Sequence, residues 1–207
     1  EPGEQVHLIG SGHCYLAELG ASDPKKGLLN GTVLSFFPVP KSDWDLELWI
    51  GLPKGHKMDQ IIDQAVQAGV TRIRPFYSRF GDVREKDSES RFERWRKITL
   101  AAAQQSLRWS VPEIEKPESL SRLIEADSTD AFTVLFYEHA SEWLPDRECL
   151  SSAGTIRCII GPEGGFSEEE VEMCINRGFS ISLLSPWRLR TETAAVTSCA
   201  LLTFFKQ

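Results

Sequence analysis

The chain has 207 residues, 41% hydrophobic and 26% charged, which fits a globular protein of one domain, or one plus a small appendage, with a substantial core. Its net charge of -7, taken whole, argues against a nucleic-acid partner, and its five cysteines (Cys14, Cys149, Cys158, Cys174, Cys199) include no C-x-x-C pair, so neither a disulfide framework nor a zinc site is indicated. The apolar stretches are too short to span a bilayer and nothing at Glu1 resembles a signal peptide, so the expectation is a soluble cytoplasmic protein with reduced thiols, no membrane partner and no metal.

Residues 1 to 42 read as a small β module: "EQVHLIG", "HCYLAEL" and "GTVLSFF" are short β segments separated by Gly, Ser and Asp turns, and "PVPKSD" is a linker. The module is thin for an independent barrel, because so short a segment buries little surface. From about residue 45 strand and helix alternate. "DLELWIGL" is a strand, and "KMDQIIDQAVQAG" a helix with Met58, Ile61, Ile62, Ala65, Val66 and Ala68 at helical spacing, ended by Gly69. "VTRIRPFY" is a strand, "SESRFERWRKITLAAAQQS" a longer helix and "SLSRLIEA" a short one. "AFTVLFY" and "TIRCIIG" are nearly continuous apolar strands, as expected where both faces of a parallel sheet are covered. "SEEEVEMCINRG" is a helix, "FSISLL" a strand and "TETAAVTSCALLTFF" a final helix, which together predict an open, mainly parallel α/β domain.

Charge is unevenly distributed. Lys54, Lys57, Arg72, Arg74, Arg79, Arg84, Arg91, Arg94, Arg96, Lys97 and Arg108 crowd the middle of the chain, and acids dominate residues 113 to 172, which leaves room for a local basic face or for merely solvated helix surface.

The segment "CIIGPEGGFSEEE" lies at a strand-to-helix junction, where open α/β sheets collect ligands. Ser167 is a good N-cap and Glu170 completes a capping box. Gly161, Gly164 and Gly165 permit main chain to lie directly against a ligand, although glycine and proline at such a junction are also ordinary turn chemistry. There is no phosphate loop, no nearby lysine in sequence, and Glu163 would repel an anion, so a nucleoside whose ribose hydroxyls donate to a carboxylate fits better than a phosphate. A second junction, "LLSPWRLRTETAA", predicts a neighbouring loop on the same sheet edge and hence a shared pocket.

"IGPEGGFSEEEV" followed by "LRTETAA", with "GLPKGHKMDQIIDQAVQAGVTRIRPFYS" upstream and "RWRKITLAAAQQSLRWSVPEI" between, resembles the RsmE-type family of ribosomal RNA (uracil N3) methyltransferases of the SPOUT superfamily. The resemblance covers nearly the whole chain from about residue 45. It implies a SPOUT-type α/β fold over residues 43 to 207 with a C-terminal trefoil knot, an exception to the rule against threaded chains. Residues 1 to 42 resemble the later strands of that family's N-terminal PUA-like barrel, and so imply a partial RNA-binding β module. The expected activity is transfer of a methyl group from S-adenosyl-L-methionine to N3 of a uridine in small-subunit (16S) ribosomal RNA, by a homodimer whose partner completes the site.

The same resemblance assigns the cofactor walls to Leu135, Tyr137 and Glu138, to Gly161, Glu163, Gly164 and Gly165, and to Leu184, Ser185, Leu189 and Thr191. Glu163 is expected to bond ribose hydroxyls or a neighbouring loop. Arg190 is expected to stabilise the uracil anion or a flanking phosphate, and Glu192 to orient that arginine or accept the imide proton, unless it serves only the helix dipole. Lys54, Lys57 and Arg108 are candidate RNA contacts, or simply solubilising charges, and Trp109 a base-stacking residue or a core lid. His56 and His139 have no metal-ligand spacing, and Cys199 reads as packing. The chain departs from the family pattern at Ser185, where a glycine is usual, at Trp187, where an arginine is usual, at Arg188, at Ser78-Arg79-Phe80, and at Ser110. Ser185 and Trp187 favour an alternative: a SPOUT-fold RNA-binding or ribosome-assembly factor with little catalysis.

Overall fold

The structure, a computed structural model, describes residues 1–10, 13–23, 25–40, 42–81, 89–127, 130–143 and 147–206. Arg84 and the first residue of the expected second helix lie outside the described residues. The chain divides into two compact units, Glu1–Ser42 and Asp43–Gln207.

The first unit is an antiparallel meander of β1 (Gln5–Gly10), β2 (His13–Asp23) and β3 (Leu28–Pro38), in the order β1-β2-β3. β2 and β3 extend beyond the segments read from the sequence, and β1 starts one residue later than its segment. Cys14 and Ala17 are buried, whereas every residue of β3 is exposed.

The second unit is an α/β domain around one parallel sheet, ordered β10-β8-β9-β4-β5-β6, with β7 also pairing β5. Its strands are β4 (Asp45–Gly51), β5 (Arg72–Tyr77), β6 (Glu113–Ile114), β7 (Glu118–Ser119), β8 (Phe132–Phe136), β9 (Thr155–Ile160) and β10 (Ser180–Ser182). Its helices are α1 (Lys57–Gln67), α2 (Glu89–Gln105), α3 (Leu120–Ala126), α4 (Arg147–Ser151), α5 (Glu168–Asn176) and α6 (Thr191–Lys206). The strand and helix rhythm read from periodicity holds. The very short β6, β7 and α4 lie below the length at which periodicity carries a signal.

Side-chain alternation along the strands divides the core in two. Leu46, Leu48 and Ile50 of β4, with Ile156, Cys158 and Ile160 of β9, meet α1, α2 and α6 on one face. Trp49, Leu135 and Ile159 meet α3 and α5 on the other. The buried stripe of α1 is Met58, Ile61, Ile62, Ala65 and Val66, and each large apolar side chain removed from water contributes roughly 1.5–3 kcal/mol.

The second face also buries charge. Arg157 is fully buried, and its Nε donates to Glu47 Oε2 at 2.9 Å while its Nη1 donates to Asp127 Oδ2 at 2.8 Å and Thr133 Oγ1 at 3.0 Å. Arg72 Nη1 reaches the other oxygen of Glu47 at 3.2 Å, and the Arg157 guanidinium lies over the Trp49 ring, 4.4 Å from its centre. Reading β9 as continuously apolar misses this network, because one arginine among five apolar or small neighbours leaves the strand pattern intact.

Candidate cofactor and RNA site

β8, β9 and β10 lie side by side, so the loops that leave their C-terminal ends converge. They enclose a cleft of about 800 Å³, lined by residues 136–140, 160–166 and 183–191, with Lys57 and Ala194. That volume lies within the range of small-molecule sites.

The loop after β9 turns tightly: Gly165 has φ +71 and its N–H donates to Pro162 O at 2.9 Å. Ser167 then caps α5 in a full capping box, Ser167 N donating to Glu170 Oε2 at 2.8 Å and Glu170 N to Ser167 Oγ at 3.3 Å. Glu170 has a second duty. Its buried carboxylate also accepts from Ser78 Oγ at 3.1 Å and from Arg79 N at 3.0 Å, tying the loop after β5 to the glycine turn. The glycines serve protein packing as much as ligand approach. A Cβ on Gly164 would lie 2.5 Å from Phe80 O, one on Gly161 would lie 3.0 Å from the Phe166 ring, and one on Gly51 would lie 2.4 Å from Pro162 Cδ. The requirement at Gly51 escapes sequence reading, because its partner lies over a hundred residues away.

Glu163 turns onto a neighbouring loop. It accepts from Lys57 Nζ at 2.7 Å and from Lys54 N at 3.3 and 3.4 Å. Burial pushes the Glu163 carboxyl up, but these donors outweigh it and hold the group below its ordinary value. The hydrogen bond that Lys57 donates to Glu163, opposed by burial and helped by the charges of Glu163 and Glu192, raises the Lys57 ammonium above its ordinary value. Glu192 stands behind Lys57. Its Oε2 is buried, lies 3.5 Å from Lys57 Nζ, and makes no directed hydrogen bond.

The loop after β10 is fastened to the loop after β8. Leu183 N donates to Glu142 O at 2.6 Å, Tyr137 N to Ser182 O at 3.0 Å, and Arg188 Nε reaches Glu138 Oε2 at 2.8 Å. Ser185 Oγ accepts from Trp187 N at 3.0 Å. Arg190 is exposed on the cleft wall, and among the described residues its guanidinium has no carboxylate partner.

Of the residues singled out in the sequence, Tyr137, Glu138, Gly161, Glu163, Gly164, Gly165, Leu184, Ser185, Leu189, Arg190, Thr191 and Lys57 line the cleft together. Leu135 does not; strand alternation turns it into the α3/α5 face of the core, where it is fully buried. Glu192 lies outside the lining and meets it through Lys57. Lys54 contributes its main-chain N–H to Glu163. Arg108 is elsewhere: its guanidinium donates to the carbonyls of Val66 and Val70 and so closes the C-terminal end of α1. The cleft also takes in Phe136, His139, Trp187 and Arg188. The "YEHA" loop carries no glycine or helix cap that would mark it in the sequence. Hydrogen bonding with Cys158 and complete burial push the Cys199 thiol well up, as a packed cysteine requires.

A family described as an RNA methyltransferase domain matches residues 40–203. The chain belongs to this family. It is 30% identical over 206 residues, 99% of this chain and 87% of the relative, to ribosomal RNA small subunit methyltransferase E of Aquifex aeolicus. The crystal structure of a ribosomal RNA small subunit methyltransferase E from Neisseria gonorrhoeae, bound to S-adenosyl methionine, superimposes with a TM-score of 0.87 at 26% identity, covering 99% of this chain and 84% of that one. A Legionella pneumophila protein in complex with the bound cofactor SAM gives 0.84 at 27% identity, with 99% and 84% covered.

Proposed function

We propose that this protein is an S-adenosylmethionine-dependent methyltransferase that modifies N3 of a uridine in small-subunit (16S) ribosomal RNA, in the cytoplasm. The observation that carries the reading is the cleft at three adjacent strand ends, in which a glycine-rich main-chain wall faces an exposed Arg190. The names of the Aquifex and Neisseria relatives and the S-adenosyl methionine bound to the latter support the substrate class and the cofactor.

The cleft suits a phosphate-free nucleoside. Gly161 to Phe166 offer main chain with no phosphate loop, and Glu163 is already neutralised by Lys57. Tyr137, Glu138, Leu184, Ser185, Leu189 and Thr191 would complete its walls. When bound, the cofactor supplies an electrophilic methyl group on a sulfonium. The remaining work belongs to the chain. Displacement in line depends on placing the two reactants, which the fastened loops accomplish. Uracil N3 must lose its proton, which passes to solvent, and positive charge beside the ring favours the anion. Arg190, which has no carboxylate partner among the described residues, presents that charge to the cleft, whereas the charge of Lys57 is offset by Glu163 and Glu192. Glu192, set behind Lys57, acts in this reading as a positioning residue that holds the ammonium in place.

A threaded C-terminus is supported by the chain path. β10 pairs with β8, Leu183 is bonded to Glu142 of the loop after β8, and α6 then packs on the face opposite α5. The homodimer and the RNA-binding role of the Glu1–Ser42 unit as a partial PUA-like module rest on the resemblance alone. No helix among the described residues is long and apolar enough to cross a membrane.

The test compares small-subunit ribosomal RNA from cells with and without the gene by mass spectrometry. One methyluridine disappears in the deletion strain and returns with the wild-type gene, whereas Arg190→Ala restores it at least about a hundredfold more slowly. Retention of every methyluridine in the deletion strain refutes the activity. Calorimetry with S-adenosylmethionine distinguishes an RNA-binding factor without catalysis, which would bind no cofactor.

A further inference from the structure

We propose that Trp187 is a base-stacking residue: its indole forms a platform at the rim of the cleft for a nucleobase of the RNA strand that carries the target nucleotide. The proposal rests on the methyltransferase reading above. Trp187 is 78% exposed although it lines the cleft. Among the described residues no aromatic ring and no cation lies against it.

The main chain beneath the ring is fixed on both sides. Ser185 Oγ accepts the Trp187 N–H at 3.0 Å, Pro186 restricts the intervening φ, and the adjoining Arg188 is held by Glu138 at 2.8 Å. The two residues that set this loop apart in the sequence, Ser185 and Trp187, therefore form one device, a hydroxyl-closed turn that presents an indole. The ring's base is anchored while its faces are free, the arrangement a stacking platform needs.

The occupant is identified by the company the ring keeps. Arg190 brings positive charge to the same cleft, whereas the charges of Lys57 and Arg188 are balanced by Glu163 and Glu138. Aromatic faces combined with cations bind single-stranded nucleic acid, whose bases stack and whose phosphates pair. A uridine extruded toward the cleft leaves its neighbours unstacked, and a flanking base gains a new stacking partner in Trp187.

The test uses the full chain with small ribosomal subunits from the deletion strain and radiolabelled S-adenosylmethionine. Trp187→Leu keeps apolar bulk without a π face, and Trp187→Phe keeps a smaller face. Trp187→Leu is expected to raise KM for subunits about tenfold, proportionally more than it lowers kcat, and Trp187→Phe to recover most of the loss. Cofactor affinity by calorimetry and sedimentation behaviour stay those of the wild type. An unchanged KM in Trp187→Leu overturns the proposal. So does weakened cofactor binding, which assigns the ring to the cofactor, or a changed sedimentation coefficient, which assigns it to a contact between copies of the chain. If the wild type itself fails to methylate subunits, the reading of the site fails, and that result is distinct from active wild type with an indifferent Trp187.

Discussion

Replacing Arg157 by Met tests whether the buried charge network holds the domain together. The guanidinium is 0% exposed and bonds Glu47 at 2.9 Å, Asp127 at 2.8 Å and Thr133 at 3.0 Å. Met fills much of the same volume but returns nothing to two carboxylates that are 4% and 7% exposed. Removing one member of a buried ion pair costs about 3–5 kcal/mol, most of it the desolvation of the charge left behind. For a domain of this size about 1 kcal/mol moves the midpoint of thermal unfolding by roughly 2–4 °C, so a fall of about 6–20 °C is expected. All six tryptophans, at positions 44, 49, 95, 109, 143 and 187, fall in the Asp43–Gln207 unit, so their emission follows the unfolding of that unit alone. Adding Asp127→Asn removes one of the buried charges, and the double variant is expected to recover at least about 1 kcal/mol. A loss below about 1 kcal/mol in Arg157→Met, or a further loss on adding Asp127→Asn, would refute the reasoning.

Gly164→Ala sets a Cβ 2.5 Å from Phe80 O, a main-chain atom in a loop whose Ser78 and Arg79 are bonded to Glu170. It is expected to cost about 1–3 kcal/mol in urea unfolding and to weaken S-adenosylmethionine in calorimetry, and wild-type behaviour in both would show that the turn yields freely. Glu163 supplies a pH dependence. Its carboxyl is held below the ordinary value of 4.5, so its contact with Lys57 and Lys54 contributes stability that is fully present above that value and fades as the pH falls through the lowered one. Glu163→Gln is therefore expected to flatten the acid side of the stability curve, measured by urea unfolding from pH 3 to 7, and a superimposable curve would remove the contact from the account.

What the sequence disclosed depended on distance along the chain. Ser167 and Glu170 stand three residues apart, so their mutual capping was legible, and both partners do cap α5. The same Glu170 binds Ser78 and Arg79 about ninety residues upstream, and no local pattern announces that. Local sequence does not choose between ribose and a neighbouring loop for Glu163, because its partner, Lys57, is 106 residues away; the structure joins them. Arg108 is the converse case. A cation in a basic stretch reads as a phosphate contact, yet its long side chain folds back to the carbonyls that end α1, a partner every helix offers and no composition reveals. Leu135 lies one residue too far inside β8 to reach the cleft: it is packed in the α3/α5 core, and the strand's last residue, Phe136, and the following Tyr137 form the cleft edge.

The buried network and the cleft are linked through register. Arg157 of β9 is the direct Cα partner of Glu47 on β4 and of Thr133 on β8, and its side chain bonds both. A single guanidinium thus pins three neighbouring strands at one height. Three residues further along β9, Ile160 opens the glycine turn, β8 ends at Phe136 ahead of Glu138, and β4 leads through a short loop to α1, whose first residue is Lys57. A slip of one residue in either pairing turns every side chain of the strand to the other face. In the β4–β9 pairing it would part Glu163 from Lys57, a contact between the loop after β9 and the first residue of α1. The charge hidden in the middle of the sheet therefore sets the geometry at its edge, and Arg157→Met, where it remains folded, should bind S-adenosylmethionine more weakly than its loss of stability alone predicts.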